Sequence, residues 1–205
     1  ALPICKYYLK LGHILKKDRE EISEESIKEI LSYYEKSTIQ NKQNYKAWHY
    51  LGLMNFEAVE YYSNIDEKSH KKTIHTHVVS SLKSLINAIS LGSSNMANSK
   101  NFQDTLRVLT LWFKYGDHPE ISAIISDSFK TIDLVSWIQV VPQLIARFDI
   151  PNSAIQNLIH ELLIHIGRHH PQALIYPLTV SLKEKMSVRK SAASKILEDM
   201  KKHFP

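Results

Sequence analysis

Three apolar stretches in the second half of the sequence decide the fold: LTLWF (Leu109–Phe113), WIQVVPQLIARF (Trp137–Phe148) and HPQALIYPLTV (His170–Val180). Each has apolar residues at the three- and four-residue spacing that places them on one face of an α-helix. Each also carries a tryptophan, proline or arginine at an unusual place in that pattern. Because they follow one another at the spacing of successive helical hairpins, we predict a stack of paired helices.

The sequence on either side continues the helical pattern. Ser23 and Asn44 are predicted to cap helices, and an apolar repeat over residues 45–62 predicts a strong helix after Asn44. Three prolines suit the first turn of a further helix, namely Pro119, Pro151 and Pro171. No window shows the alternation of a half-buried strand. The predicted fold class is therefore all-α, an α-solenoid of antiparallel helix hairpins.

A turn-rich segment divides the chain into two predicted regions. Residues 1–92 predict tetratricopeptide-like repeats, because Trp48-His-Tyr-Leu51-Gly52 loosely matches the W-x2-L-G motif of that repeat. Residues 93–101 contain mostly Ser and Asn and predict a loop. Residues 102–205 predict shorter, HEAT-like helix pairs.

Apolar and aromatic residues at helical spacing are predicted to form the core, because a large aromatic side chain buries enough area to hold two helices together. The aromatic candidates are Trp48, Phe56, Trp112, Phe113, Trp137 and Tyr176. In the first helix, Leu2–Lys17, the predicted apolar stripe is Ile4, Tyr8, Leu11 and Leu15. Pro142 lies inside a helix predicted over residues 134–147 and is expected to bend it. Arg107 and Asp104 are expected to pair locally, and Arg147 to pair with a carboxylate or a helix terminus.

Composition and charge exclude several classes of protein. The 205 residues are 43% apolar and 23% charged, which is ordinary for a globular protein. A single cysteine, Cys5, excludes an internal disulfide. The net charge of +5 is spread without a long basic run, so nucleic acid is not an expected partner. No apolar run reaches the roughly 18 residues of a membrane span.

Motifs of catalysis are absent from the sequence. It has no glycine-rich phosphate-binding loop, no kinase catalytic motif and no G-x-S-x-G, so we predict no catalytic residue. His165 and His169 have the four-residue spacing of a zinc-binding pair. A third hypothesis, a metal hydrolase, rests on these two histidines alone. The HExxH pattern is missing and a third ligand is not evident. We therefore interpret them as helix-end histidines and predict no metal site.

The apolar stretches, read with their neighbours, resemble a known family. NFQDTLRVLTLWFKYG (101–116), WIQVVPQLIARFD (137–149) and HPQALIYPLTV (170–180) are similar to the C-terminal part of the FAT domain of target-of-rapamycin (TOR) kinases. These are members of the phosphatidylinositol-3-kinase-related kinases, and their FAT domain is a helical solenoid before the kinase domain. The family pattern holds a histidine at positions 160 and 170 but not at 165 or 169.

The resemblance implies a non-catalytic scaffold within a very large serine/threonine kinase. The rapamycin-binding bundle and the kinase domain, with its ATP and Mg, would follow after Pro205. The implied partners are that kinase domain, the other subunits of a TOR complex and a second copy of the complex. The implied setting is growth signalling in the cytoplasm, with the parent kinase at the vacuolar or lysosomal membrane.

The resemblance also implies an inositol hexakisphosphate pocket. The segments Lys6-Tyr-Tyr-Leu-Lys10-Leu-Gly12 and Tyr45-Lys46-Ala-Trp48-His49 resemble two walls of the pocket that the family carries. Lys6, Lys10 and Lys46 would bind the polyphosphate, because converging cations share the cost of desolvating a multivalent anion. At position 6 the family pattern has Arg. Lys6 keeps the positive charge, but it lacks the planar guanidinium that binds a phosphate through two N–H groups. Taken by themselves, the three are ordinary solvated lysines.

The alternative is a free-standing tetratricopeptide- or HEAT-like adaptor that binds protein partners on a concave face. A complete solenoid needs polar capping helices, whereas a fragment is expected to expose apolar faces. The first helix is apolar and begins without a capping residue, and the sequence has no initiating Met. These features favour a fragment of a longer chain.

Overall fold

The computed structural model describes residues 2–18, 22–92, 98–183 and 187–203, and within those ranges every regular element is an α-helix. The helices are α1 (Leu2–Lys17), α2 (Glu24–Gln40), α3 (Tyr45–Asp66), α4 (Lys71–Gly92), α5 (Asn98–Tyr115), α6 (Pro119–Thr131), α7 (Leu134–Ile138), α8 (Val141–Ile145), α9 (Ser153–His169), α10 (Pro171–Leu182) and α11 (Ser187–His203). The predicted all-α class is confirmed. In this part of the chain, no helix is both long and apolar enough to cross a bilayer.

The first compact unit, Ala1–Leu111, is built from neighbouring helical hairpins. Helix α1 packs on α2, α2 on α3, and α3 on α4. The α3–α4 pair is antiparallel, since Ser81 donates to the Gly52 carbonyl near the middle of α3 while the rings of Tyr62 and His70 meet at the turn. Its core is aliphatic, with Val78, Leu82 and Leu85 fully buried.

Local capping signals set two helix starts as predicted. Ser23 accepts a hydrogen bond from the backbone of Ser26, whose hydroxyl accepts one from the Ser23 backbone in return, which makes a capping box at α2. The side chain of Asn44 caps α3 by accepting from the backbone N–H of Lys46. These bonds satisfy N–H groups that the first turn of a helix leaves without a partner.

The second compact unit, Trp112–Pro205, packs its helices around α9 and α10. Helix α9 contacts α6, α7, α10 and α11, while α10 also contacts α8. Trp112 and Trp137 are completely buried, and the ring of Phe129 lies between them at 6.1 and 5.6 Å from their ring centroids. The two tryptophans are therefore core residues, as their helical spacing predicted.

The helix predicted over residues 134–147 is instead two short helices, α7 and α8. Proline cannot donate to an earlier carbonyl, so it fits best in the first turn of a helix, where no intrahelical bond is lost. Pro142 occupies that position in α8, with a break at Val140 before it. The predicted bend is thus a complete interruption.

Two further proline predictions concern Pro151 and Pro171. Pro171 opens α10 as predicted. Helix α9, however, begins at Ser153, two residues after Pro151, because the side chain of Asn152 caps it by accepting from two backbone N–H groups. The capping bond, rather than the proline, decides where this helix starts.

Some predicted core residues lie at the surface. Tyr176 is 77% exposed, so its assignment to the core is wrong. Trp48, Phe56 and Phe113 are half-buried. In α1 the buried face is formed by Cys5, Leu9 and Gly12, while Ile4, placed in the predicted inward stripe, is 49% exposed. Apolar spacing finds a helix, but it does not choose between two adjacent apolar stripes.

The domain boundary from the sequence stays a prediction, as do the two repeat classes. Helix α5 begins at Asn98, so residues 98–101 of the predicted loop 93–101 are helical, and residues 93–97 lie outside the described residues. The division between compact units falls within α5, after Leu111.

Candidate functional site

The three lysines implied as polyphosphate ligands lie on two helices of the first unit. Lys6 and Lys10 are exposed on α1 one turn apart, and Lys46 is exposed in the first turn of α3. None of the three ammonium groups makes a hydrogen bond or an ion pair with a described residue; the hydrogen bond from Lys46 to Asn44 comes from its backbone N–H. Their ammonium groups are therefore available to an anion.

A buried polar contact joins the two lysine-bearing segments. The thiol of Cys5, next to Lys6, accepts a hydrogen bond of 2.9 Å from the side-chain amide of Asn44, two residues before Lys46. The same thiol lies 3.2 Å from the hydroxyl of Ser37 at the end of α2. This contact holds the start of α1 beside the start of α3.

The orientation of α3 adds to the positive charge at this end of the unit. The N-terminus of a helix carries roughly half a positive charge, from N–H groups without intrahelical partners. Helix α3 is 22 residues long and begins at Tyr45, beside Lys46. The start of α3, beside Lys46, therefore attracts anions.

Aromatic and histidine side chains meet between α1, α2 and α3. Nδ1 of His13 lies 3.0 Å from the hydroxyl of Tyr34, and the His13 ring meets Tyr50 edge-on with centroids 4.1 Å apart. Burial, with Lys16 and His49 nearby, lowers the pKa of His13, while burial, with Glu57 and Tyr50 nearby, raises the pKa of Tyr34. Both groups are consequently neutral near pH 7 and act as hydrogen-bonding partners.

A buried carboxylate links α3 to α5. Asp104 is fully buried, and its two oxygens lie 2.7 Å from Nδ1 of His49 and 3.1 Å from Nη1 of Arg107. The ring of Tyr45 stacks on His49, and burial, with Asp104 and Tyr50 nearby, raises the pKa of Tyr45 to about 12. The predicted local pairing of Asp104 with Arg107 is confirmed.

The part played by His49 in this cluster had no sequence signal, because 55 residues separate it from Asp104. Arg147 also differs from expectation. Its guanidinium lies over the ring of Phe113, 5.5 Å from the centroid, and it has no ion pair with a described residue. The contact is a cation–π interaction, which fixes the side chain without a carboxylate.

The histidine pair of α9 does not form part of a three-ligand cluster. His165 and His169 have ring centroids 4.8 Å apart, and Nδ1 of His169 donates to the backbone carbonyl of His165. Across the described ranges, no third His, Cys, Asp or Glu ligand atom comes close enough to both. A zinc-activated water needs about three protein ligands, so the geometry gives the metal hydrolase no support.

Comparison with models of protein families shows to which family the chain is related. The FAT domain model matches residues 3–110, more than half of the sequence. The chain belongs to the FAT domain family. A second model, that of the HEAT repeats of ATR-like serine/threonine-protein kinases, matches residues 120–204. The predicted resemblance to the FAT domain is thus confirmed.

Several TOR kinases are similar to this chain, as the quoted stretches predicted. The chain is 37% identical over 201 residues to the serine/threonine-protein kinase tor1 of Schizosaccharomyces pombe. It is 36% identical to the kinase mTor of Drosophila melanogaster and 32% identical to the kinase TOR of Oryza sativa. Each alignment covers 98% of the FAT chain but only 8 or 9% of the relative.

Proposed function

We propose that this FAT chain is a non-catalytic scaffold of a TOR serine/threonine kinase and clamps the kinase domain of the same polypeptide. The observation that carries the proposal is the alignment of 98% of the chain with TOR kinases, joined to the FAT match over residues 3–110. The all-helical hairpins agree with a scaffold role, and the sequence has none of the phosphate-binding motifs of a kinase.

A solenoid restrains a neighbouring domain because each repeat contacts only the next, so that bending at one place is passed along the array. In this proposal ATP and Mg belong to the kinase domain of the parent and not to this chain. Its partners are that kinase domain, other TOR complex subunits and a second copy of the complex. The cytoplasm, with attachment of the parent to the vacuolar or lysosomal membrane, is the proposed location.

The scaffold role is tested in the full-length kinase by loosening the solenoid away from any catalytic residue. Asp104→Asn removes the buried charge that joins α3 to α5, while the exposed Asp117→Asn is a matched control. We expect the first variant to change the rate of substrate phosphorylation several-fold at equal amounts of folded kinase. Equal rates for wild type, variant and control would contradict the clamp.

We also propose that Lys6, Lys10 and Lys46 bind inositol hexakisphosphate. Three observations support this: the exposure of all three ammonium groups, the Cys5–Asn44 contact that joins their segments, and the N-terminus of α3 beside Lys46. A polyphosphate gains from several cations at once, which single exposed lysines do not provide.

The pocket is tested by calorimetry with inositol hexakisphosphate at moderate salt. The triple variant Lys6→Ala, Lys10→Ala and Lys46→Ala is expected to weaken binding by about tenfold or more, since each contact to a phosphate is worth about 0.5–1 kcal/mol at an exposed site. The control removes three exposed lysines of the second unit, Lys183, Lys190 and Lys201, with the same change in charge. Equal weakening in both variants would indicate attraction by net charge alone.

A further inference from the structure

Two adjoining surface grooves run along one side of α9 in the second unit. One, of about 480 Å³, lies between α9 and α11, and the other, of about 560 Å³, lies between α9 and α6. Asn157 and His160 line both grooves. The two spaces therefore form one continuous surface, which we call the α9 groove.

The α9 groove is long compared with a small-molecule pocket. Its lining on α9 extends from Gln156 to Arg168. At 1.5 Å per residue, that distance is about 18 Å along the helix axis. An extended peptide spans roughly 3.3 Å per residue, so about five residues of a strand would match this length.

Cationic side chains are distributed along the groove. Lys130 at the end of α6, Arg168 on α9 and Lys195 on α11 all line it and are exposed. None of them forms an ion pair or a hydrogen bond with a described residue. Among the described residues of the lining, Glu161 is the one carboxylate. Three exposed cations against one carboxylate leave the groove with an excess of positive charge.

His160 lies at the junction of the two grooves. Its Nε2 is 3.8 Å from a carboxylate oxygen of Asp199, which also accepts a hydrogen bond from Lys202. Burial, reinforced by Lys195, lowers the pKa of His160, and Asp199 opposes the shift. At neutral pH the ring is therefore a neutral polar group, so the positive charge of the groove comes from its lysines and arginine.

The floor of the groove is apolar. Phe148 and Phe129 are nearly buried beneath it, and Ile164 and Ala192 are half-buried along its length. An inorganic polyanion would gain nothing from these side chains, whereas a peptide with alternating apolar and acidic residues would use both features. Successive side chains of an extended strand point in opposite directions, which allows one set to face the floor and the other the cations.

We propose that the α9 groove binds an extended, acidic segment of a protein partner. Apolar side chains of the segment contact the floor formed by Phe129 and Ile164, and its carboxylates pair with Lys130, Arg168 and Lys195. Charge complementarity selects this occupant, because the described lining offers three cations that pair with no described residue and contributes one carboxylate. The site is separate in sequence from Lys6, Lys10 and Lys46.

The probe for the test is a fluorescein-labelled, eight-residue peptide of alternating Glu and Leu, measured by fluorescence anisotropy with the 205-residue chain at low salt. A peptide of alternating Gln and Leu has the same length and apolar content without the charge. We expect saturable binding of the acidic peptide and at least tenfold weaker binding of the neutral one. Equal binding of both peptides, or no binding of the acidic one, would overturn the proposal.

Two variants assign the binding to the α9 groove. Lys130→Ala, Arg168→Ala and Lys195→Ala together are expected to weaken binding about tenfold, whereas the charge-matched variant at Lys183, Lys190 and Lys201 is expected to bind like wild type. Equal weakening in the two would show attraction by net charge only and would overturn the proposal.

The variant Glu161→Gln tests for tighter binding, an effect that loss of folded protein would not produce. Removing the single carboxylate of the lining is expected to tighten binding of the acidic peptide about two- to threefold, because like charges across the interface repel. Tripolyphosphate serves as a competitor without apolar groups. If tripolyphosphate binds the groove and the peptide does not, the site is for small anions and the proposed occupant is wrong.

Discussion

Asp104 is held by two basic side chains from different places in the sequence while its own side chain is fully buried. A buried carboxylate is costly to desolvate unless it is paired and hydrogen-bonded. His49 and Arg107 supply those partners, and each is itself partly or largely removed from water. The three side chains therefore depend on one another for their stability.

At the residue scale, we predict that Asp104→Asn lowers the free energy of unfolding by about 3 kcal/mol, because His49 and Arg107 lose a charged partner in a buried setting. Urea unfolding followed by circular dichroism measures the change. The exposed Asp117→Asn is the control and is expected to change stability by less than about 0.5 kcal/mol. A loss as small in Asp104→Asn as in this control would show that the buried carboxylate contributes little.

Helices α3 and α4 approach each other closely at Gly52. A Cβ at this position would lie 2.7 Å from Cγ of Leu85 and 3.1 Å from the Leu85 backbone nitrogen. The Gly52 carbonyl also accepts a hydrogen bond of 2.9 Å from the hydroxyl of Ser81. Because backbone atoms take part in the contact, a side-chain rotation alone cannot make room.

At the element scale, Gly52→Ala is therefore expected to destabilise the chain by about 1–3 kcal/mol, although alanine favours a helix over glycine by about 1 kcal/mol. A double-mutant cycle with Leu85→Ala separates the two effects. In the Leu85→Ala background, the alanine at position 52 should cost less, since the two 2.7 Å side-chain contacts are gone and only the 3.1 Å contact with the backbone nitrogen remains. An equal cost in both backgrounds would mean that steric contact with Leu85 is not the cause.

Four half-buried histidines favour the neutral form and are expected to make the stability of the molecule sensitive to acid. Burial lowers the pKa of His13, His77, His160 and His165 below their usual value of 6.5. Nδ1 of His77 donates to the side-chain oxygen of Asn55 at 2.8 Å, a bond open to the neutral and the charged ring alike, so burial is what disfavours the charge. In each case the unfolded chain takes up a proton more readily than the folded one.

At the scale of the whole molecule, we predict a loss of stability on acidification. Where the folded pKa is depressed, the stabilising contribution is complete above the unfolded pKa of about 6.5 and declines as the pH falls through the folded pKa. The melting temperature should therefore be lower at pH 5.5 than at pH 7.5. His77→Gln, which removes one such group, should reduce the difference, and a melting temperature that does not fall between the two values of pH would contradict the prediction.

Signals within a few residues were enough to determine the secondary structure from the sequence. Two side chains, those of Ser23 and Asn44, accept hydrogen bonds from backbone N–H groups in the first turn of their own helix. Two prolines, Pro119 and Pro171, lie in the first turn, where the missing N–H of proline costs no intrahelical bond. The resemblance to the FAT domain likewise follows from the residues of the three apolar stretches. The exceptions, Pro142 and Pro151, are sites where two local signals compete and the neighbouring cap or break prevails.

Contacts between distant residues, and the choice of which apolar residues face water, became known from the tertiary structure and could not be predicted from local patterns. It brought Cys5 to Asn44, and with them the lysine-bearing starts of α1 and α3, across 39 positions of sequence. It paired His49 with Asp104 and left Tyr176 exposed on an apolar helix. Most helices and the family resemblance could be predicted from the chain's residues alone, because helices depend on local spacing and the resemblance on the order of residues. Contacts between helices depend on how their faces pack, which no local pattern encodes.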